Sequence, residues 1–391
     1  MLYSHDGMGL GHIRRNLTLA GALVAARPDA AVLLATGAEA LDAFSIPTRV
    51  DVLRLPGVRK IDNAHYAARR LAVSLDDLRE LRAALLTTAV ERFRPHVVLA
   101  DKHPGGLQGE LVPALERLRS LDGRAVLGLR DVLDEPERAR RDWRTTDALE
   151  HLREFHERIL VYGQREVVDP LAGCGLPTGI LRRVRYCGYV VSGCRAALPA
   201  SSPRPWARRL VVATAGGGED GTPVLRAFLG GARGAGWDAL AVAGPHADPA
   251  GYAELERLAR DAGAHVVASV RGLGDRLAAA HAVVCMGGYN SLVEVLAARL
   301  SAVCVPRVVP RAEQLVRARA FAARGLIRVV EPADLDPATL RAEVDAALAT
   351  DRRGLAERIG AALDFDGASR ASAELIEIAR AAQVSRVQAV R

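Results

Sequence analysis

Residues 282–297, AVVCMGGYNSLVEVLA, decide the architecture. A short apolar run ends at Cys285, Gly287 and Gly288 follow, and apolar residues then recur at helical spacing. That order reads as strand, tight turn and helix, the repeating unit of a parallel sheet buried on both faces. The same grammar appears in residues 210–229, LVVATAGGGEDGTPVLRAFL, and in residues 2–25, LYSHDGMGLGHIRRNLTLAGALVA. Between them lie further Val-rich runs at 30–35, 96–100, 125–129, 159–162, 239–243, 265–268 and 302–305. Residues 75–93 and 312–323 carry helical spacing. Alternating strands and helices imply right-handed crossovers and doubly wound sheets.

The rhythm breaks once, at residues 198–209, where Pro199, Ser201, Ser202, Pro203 and Pro205 cluster without periodicity. The expected fold is therefore α/β, with two Rossmann-like doubly wound parallel-sheet domains. The first spans residues 1–197, the linker 198–207 and the second 208–364. A C-terminal helix over 365–391 is expected to pack back toward the first domain, and residues 338–391 read as terminal helices. The first strand, within residues 2–5, is short for a parallel strand; either it is short or the chain begins upstream.

Composition narrows the function. The chain has 391 residues, half of them hydrophobic, so it can fill sizeable cores. Its net charge of +7 is carried by arginines spread along the chain, with lysine only at Lys60 and Lys102. No long like-charge run occurs, and aromatics are 4%, too few for base-stacking platforms; no nucleic-acid partner is expected. Weak attraction to an anionic membrane surface stays open. The five cysteines lack a CxxC pair, which fits a reduced cytoplasm and gives no zinc site. No signal peptide and no spanning segment is read, so a cytoplasmic protein is expected, with peripheral attachment at the membrane's inner face left open.

The glycine turns carry the chemistry. At the first, Gly9-Leu-Gly11-His12 follows a strand and opens a helix, whose N-terminus presents unpaired N–H groups. The spacing is not GxGxxG, so dinucleotide binding is poorly supported. His12 stands where doubly wound sheets place ligands and suits a general base; the bland alternative is a histidine bonded within its turn. Asp101, in Asp101-Lys102-His103-Pro104, is a second base candidate, or simply a turn-capping residue. Gly216-Gly217-Gly218 can form an anion nest, although Glu219 and Asp220 beside it would repel a phosphate. Thr222 and Pro223 read as the N-cap and first residue of the next helix. Ser291 and Glu294 have capping-box spacing, and Glu313 suits a first helical turn.

Taken together, the GxGH turn, the GGG turn, GGYNSLVE and PRAEQ resemble the GT-B nucleotide-sugar glycosyltransferases, in particular the peptidoglycan N-acetylglucosaminyltransferase type. The resemblance covers residues 208–335 best. It implies an active site in the cleft between two domains, with a nucleotide-sugar donor held by the second. On that resemblance Glu294 matches the ribose-binding carboxylate. Gly287, Gly288, Asn290 and Ser291 match the loop facing the diphosphate, with the 216–218 glycines nearby. Val270 matches the position whose backbone meets the nucleobase. Glu313 and Gln314 match the donor-sugar contacts, and His12, flanked by Gly9 and Gly11, matches the histidine near the acceptor. The family's sugar-contact pair is commonly two glutamines, so the donor sugar is not carried over from it.

The expectation is an inverting, metal-independent glycosyltransferase with a UDP-sugar as leading donor and no cofactor. The acceptor hydroxyl, on a lipid, glycan or natural product, is not legible. No DxD motif stands in a suitable loop, since Asp76-Asp77 falls within a predicted helix. A nucleotide-sugar hydrolase, which shares the Gly-x-Gly-His-x-x-Arg turn, and a nucleotide-sugar 2-epimerase are the alternatives.

Overall fold

The computed structural model describes the chain apart from residues 5–9, 40, 62–65, 146, 193–205, 218, 219, 246, 269–276, 278, 390 and 391. Gly9, Gly218 and Val270, and most of the expected linker, thus lie outside the described residues. Two compact units form: Met1–Val190 with Phe365–Arg391, and Val191–Asp364.

The first unit holds strands β1 (Leu2–Tyr3), β2 (Val32–Thr36) and β3 (Val50–Arg54), then a small hairpin of β4 (Val58–Lys60) and β5 (Tyr66–Ala68). Strands β6 (Val97–Asp101), β7 (Arg124–Arg130), β8 (His156–Tyr162) and β9 (Val184–Tyr186) follow. Apart from the hairpin these make one sheet, ordered β3-β2-β1-β6-β7-β8-β9 and parallel throughout. Its helices are α1 (Gly11–Ala26), α2 (Leu75–Phe93), α3 (Val112–Ser120), α4 (Pro136–Thr145), α5 (Ala148–Phe155) and α6 (Thr178–Leu181). All five residues of β6 are buried, because helices cover both faces and no alternation is needed.

The second unit repeats the plan with β10 (Leu210–Thr214), β11 (Asp238–Val242), β12 (His265–Val267), β13 (Ala282–Cys285), β14 (Ser301–Cys304) and β15 (Arg328–Val329). The order is β12-β11-β10-β13-β14-β15, again all parallel. Its helices are α7 (Thr222–Ala232), α8 (Pro249–Ala262), α9 (Tyr289–Ala297), α10 (Glu313–Ala322), α11 (Pro337–Ala349) and α12 (Arg352–Ala362). The last helix, α13 (Gly367–Ala389), belongs to the first unit and packs on α1, β6 and β7. Ala371, Leu375, Ile378 and Ala382, one face of that helix, are its buried contacts.

In both sheets the chain builds outward one way, returns to the centre and builds outward the other way. The reversals fall between β1 and β6 and between β10 and β13. Such switch points leave a crevice at the strands' carboxyl ends, where ligands bind in this class of sheet. The glycine turns after β10 and β13 open at the second of these points.

Two helix starts differ from the sequence reading. The N-cap of α7 is Gly221, and Thr222 lies one residue inside the helix. A Cβ on Gly221 would stand 2.1 Å from that of Ala215, so close packing selects glycine there. The N-cap of α9 is Gly288, with no side-chain cap, so Ser291 and Glu294 form no capping box. The strands that the apolar-run test passes over are β3, β9, β15 and the hairpin. They carry Asp51, Arg54, Arg185 and Arg328 among few apolar residues. Polar residues on short edge strands guard against edge pairing and erase the apolar signature.

Candidate functional site

The first unit brings His12 and Asp101 together at its switch point. Strand β6 ends at Asp101, and Lys102 turns away in left-handed backbone, φ 75°, with its N–H on the Gly128 carbonyl. His156 Nε2 donates to the Pro104 carbonyl at 2.8 Å and pins the same turn. His12 is in the first turn of α1, and its Nδ1 lies 2.5 Å from Asp101 Oδ2. Arg15 Nη2 donates to the other oxygen, Oδ1, at 2.6 Å, and Asn16 Nδ2 to Oδ2 at 3.3 Å. The two base candidates of the sequence reading are partners rather than alternatives. The Asp101 carboxylate turns to α1, not to its own turn.

Geometry fixes the histidine's tautomer. A carboxylate only accepts, so the proton is on Nδ1 and the basic lone pair is on Nε2. Arg15 Nη2 also stands 3.1 Å from His12 Nδ1, a lateral contact that this tautomer leaves without a hydrogen bond. Burial is the largest influence on His12 and pushes its pKa down to about 4, against the upward pull of Asp101; Arg15 and Arg130 add to the lowering. Burial alone would raise Asp101, but the charges of Arg15 and His12 outweigh it and hold the carboxyl well below its usual range. The imidazole is therefore neutral near pH 7, beside an ionised carboxylate.

Arg15, the arginine of the Gly-x-Gly-His-x-x-Arg turn, joins the candidate site, and so does Asn16, which motif reading passes over. They stand three and four positions after His12, on the same helix face, and that spacing is the signal that exposes them. Arg15 is 2% exposed, and its guanidinium also lies 5.4 Å from the centre of the Tyr162 ring.

The second unit gathers the other motifs. Gly216, φ 63°, turns the chain after β10, and a Cβ built on it would face Ser291 Oγ at 4.0 Å and nothing closer. The glycine turn after β10 thus meets the first turn of α9. The N-caps of α7 and α9 are both glycines, which bring no side-chain cap to their helix starts. A Cβ on Gly288 would meet nothing within 4 Å, whereas one on Gly287, φ 77°, would stand 2.9 Å from Cys304 Sγ. Gly287 is thus packed and Gly288 faces open space.

Glu294 is buried within α9 and accepts a hydrogen bond from Ser192 Oγ. Gln314 Oε1 accepts from the Arg307 backbone N–H at 3.1 Å, and Glu313 Oε1 stands 4.0 Å from Arg307 Nη2. The 306–314 loop therefore folds around the two expected sugar contacts, both nearly buried. Asn290 and Ser291 occupy the first turn of α9, and Gly217 follows Gly216 in its turn. Arg317, fully buried on α10, donates to the Gly287 carbonyl at 2.9 Å and lies over the Tyr289 ring. It ties the α9 turn to α10. Among the described residues no cluster of three His, Cys, Asp or Glu is placed to hold a metal ion.

Comparison with known proteins agrees with this construction. Residues 256–374 match the model of the glycosyltransferase family 28 C-terminal domain. No curated protein matches by sequence. Among solved structures, the glycosyltransferase VinC in complex with dTDP is 18% identical with a TM-score of 0.64, over 97% of this chain and 99% of that one. MurG of Acinetobacter baumannii is 13% identical with a TM-score of 0.60, over 96% and 98%. The spinosyn rhamnosyltransferase SpnG, complexed with spinosyn aglycone, is 19% identical with a TM-score of 0.59, over 95% and 99%. The fold is thus the two-domain GT-B fold. The match over residues 256–374 supports an enzyme of the glycosyltransferase type.

Proposed function

We propose that the protein transfers a sugar from a nucleoside-diphosphate donor to an acceptor hydroxyl with inversion and without a metal ion. The observation that carries this reading is the His12–Asp101 pair at the first switch point. His12 Nε2 takes the acceptor's proton as its oxygen attacks the anomeric carbon. The imidazolium that forms is stabilised by Asp101, which also holds the ring in the required tautomer. In the second unit the uncapped starts of α7 and α9 face the leaving diphosphate and offset the charge it gains. Glu294 takes the donor ribose in place of Ser192, and Glu313 and Gln314 meet the sugar. Attack from the face opposite the leaving group gives inversion.

UDP is the leading nucleotide, from the resemblance of the second half; the acceptor is an aglycone or lipid hydroxyl. No helix among the described residues is long and apolar enough to cross a membrane. The test is calorimetric titration with UDP, dTDP, GDP and ADP, followed by donor turnover with and without acceptor pools. One diphosphate binds, and its binding is lost in Glu294→Ala. Silence with all four removes the donor reading. Sugar release from donor alone, at the full rate, turns the acceptor into water and the enzyme into a hydrolase.

A further inference from the structure

The Glu219-Asp220 pair beside the GGG turn is a puzzle in a phosphate site, since carboxylates repel phosphates. The structure gives Asp220 a partner. Arg307 reaches across from the loop after β14, and its Nη1 donates to Asp220 Oδ2 at 2.9 Å. The backbone N–H of the same arginine is held by Gln314. Its Nε is buried and meets no acceptor among the described residues. The guanidinium is anchored at its base, paired through Nη1 with Asp220, 4.0 Å through Nη2 from Glu313 and unsatisfied at Nε, and Asp220 immediately precedes the N-cap of α7.

On the donor-site reading above, we propose that Arg307 is the side chain that receives the donor's diphosphate, and that Asp220 holds this arginine in place until the donor arrives. The chemistry is a competition for one guanidinium. A carboxylate brings one negative charge, while a nucleoside diphosphate brings more charge and several acceptor oxygens. Arginine's planar fork offers paired donors to a phosphate, including the Nε now unsatisfied. The Asp220–Arg307 pair is half-exposed, and ion pairs of that kind contribute little to folding, so opening it costs little. The Asp220 side chain is 42% exposed, so water screens its own repulsion of the donor; its effect is to hold the cation and so to set how tightly the diphosphate is bound. The loop that carries Arg307 runs into α10, whose first residues Glu313 and Gln314 contact that arginine, so diphosphate binding is coupled to the donor-sugar contacts.

The test is calorimetry on the full chain with whichever of UDP, dTDP, GDP or ADP binds best, and with its parent nucleoside. Arg307→Gln is expected to weaken the diphosphate by about tenfold or more, as loss of a charge-assisted contact does, and to leave the nucleoside unchanged. Arg307→Lys recovers part of the loss. Asp220→Asn tightens the diphosphate several-fold, a gain that misfolding does not produce. In the Arg307→Gln background the gain from Asp220→Asn shrinks, because no cation is left to release. Simple repulsion by Asp220 predicts the reverse, a larger gain once its partner is gone. That result, or an Arg307→Gln protein that binds the diphosphate as the wild type does, overturns the proposal and leaves the donor site standing. A wild type that binds none of the four diphosphates removes the donor site and this assignment with it.

Discussion

At the scale of single residues the proposed chemistry rests on His12 and what surrounds it. His12→Ala removes the base and is expected to cost about 10²–10⁴ in turnover while donor affinity holds, as steady-state rates and calorimetry together report. Asp101→Asn keeps the shape but supplies an amide that no longer fixes the Nδ1–H tautomer, so it lowers turnover as well. The pH dependence follows from the sign of the shift. Burial brings His12 down to about 4, so the base stays neutral and active through neutral pH, and turnover falls only as pH drops through that value. Its unfolded value is near 6.5, so this histidine disfavours the fold progressively as pH falls from 6.5 toward 4. Arg15→Met removes a cation from its side; the acid limb of the rate profile moves to higher pH, provided the variant stays folded by circular dichroism. The sequence marks His12 and Asp101 separately, on motif and on strand end. It does not join them, because they stand 89 positions apart in the chain. Arg15 was legible as the arginine of the Gly-x-Gly-His-x-x-Arg turn, but Asn16 only as a neighbour on its helix face, a signal that acquires meaning once the target of that face is known.

At the scale of elements, the starts of α7 and α9 matter most. Gly288 faces open space in ordinary backbone, φ −58°, so a side chain fits there without strain. Gly288→Asp supplies the missing cap and adds about 0.5–1 kcal/mol to stability. On the proposed donor site the same carboxylate stands where the diphosphate binds. Thermal unfolding is therefore expected to shift up while nucleoside-diphosphate binding falls, a pairing that a plain loop would not give. Gly287→Ala behaves oppositely: positive φ and the close Cys304 sulfur make it destabilising. Inside the first unit, Tyr3, Arg82 and Glu110 form a buried network, with Arg82 donating to both Glu110 oxygens at 2.6 and 2.7 Å. Glu110→Ala leaves Arg82 charged and unpaired in the interior and is expected to cost about 3–5 kcal/mol in denaturant titration. The strand–turn–helix order around these elements was legible to within a residue or two, since apolar runs and glycines dictate it. The capping box read at Ser291 and Glu294 does not form, because the N-cap of the helix is Gly288 and the spacing alone does not fix where a helix starts.

At the scale of the whole chain, the first unit is built from both ends of the sequence. Helix α13 buries Leu375 and Ile378 against α1 and the sheet. Arg386 donates to the carbonyls of Arg94, Pro95 and Leu121 at 2.7–2.8 Å, and Arg158 pairs with Glu374. Deleting residues 365–391 uncovers that face. Scanning calorimetry is expected to show the first unit's transition lowered or lost and that of Val191–Asp364 little changed. Equal loss in both transitions would contradict the division of the chain.

The repeated strand, glycine turn and helix were determined by the sequence alone, because parallel sheets covered on both faces need continuous apolar runs, and turns between them need residues without a Cβ. So were the two-unit plan and the glycosyltransferase likeness of the second half. Tertiary structure alone decided which side chains meet: His12 with Asp101 and Arg15, Arg307 with Asp220, Arg317 with the Gly287 carbonyl. Those pairings depend on strand order, and strand order follows from how the sheets wind about their switch points, which no local pattern along the chain records.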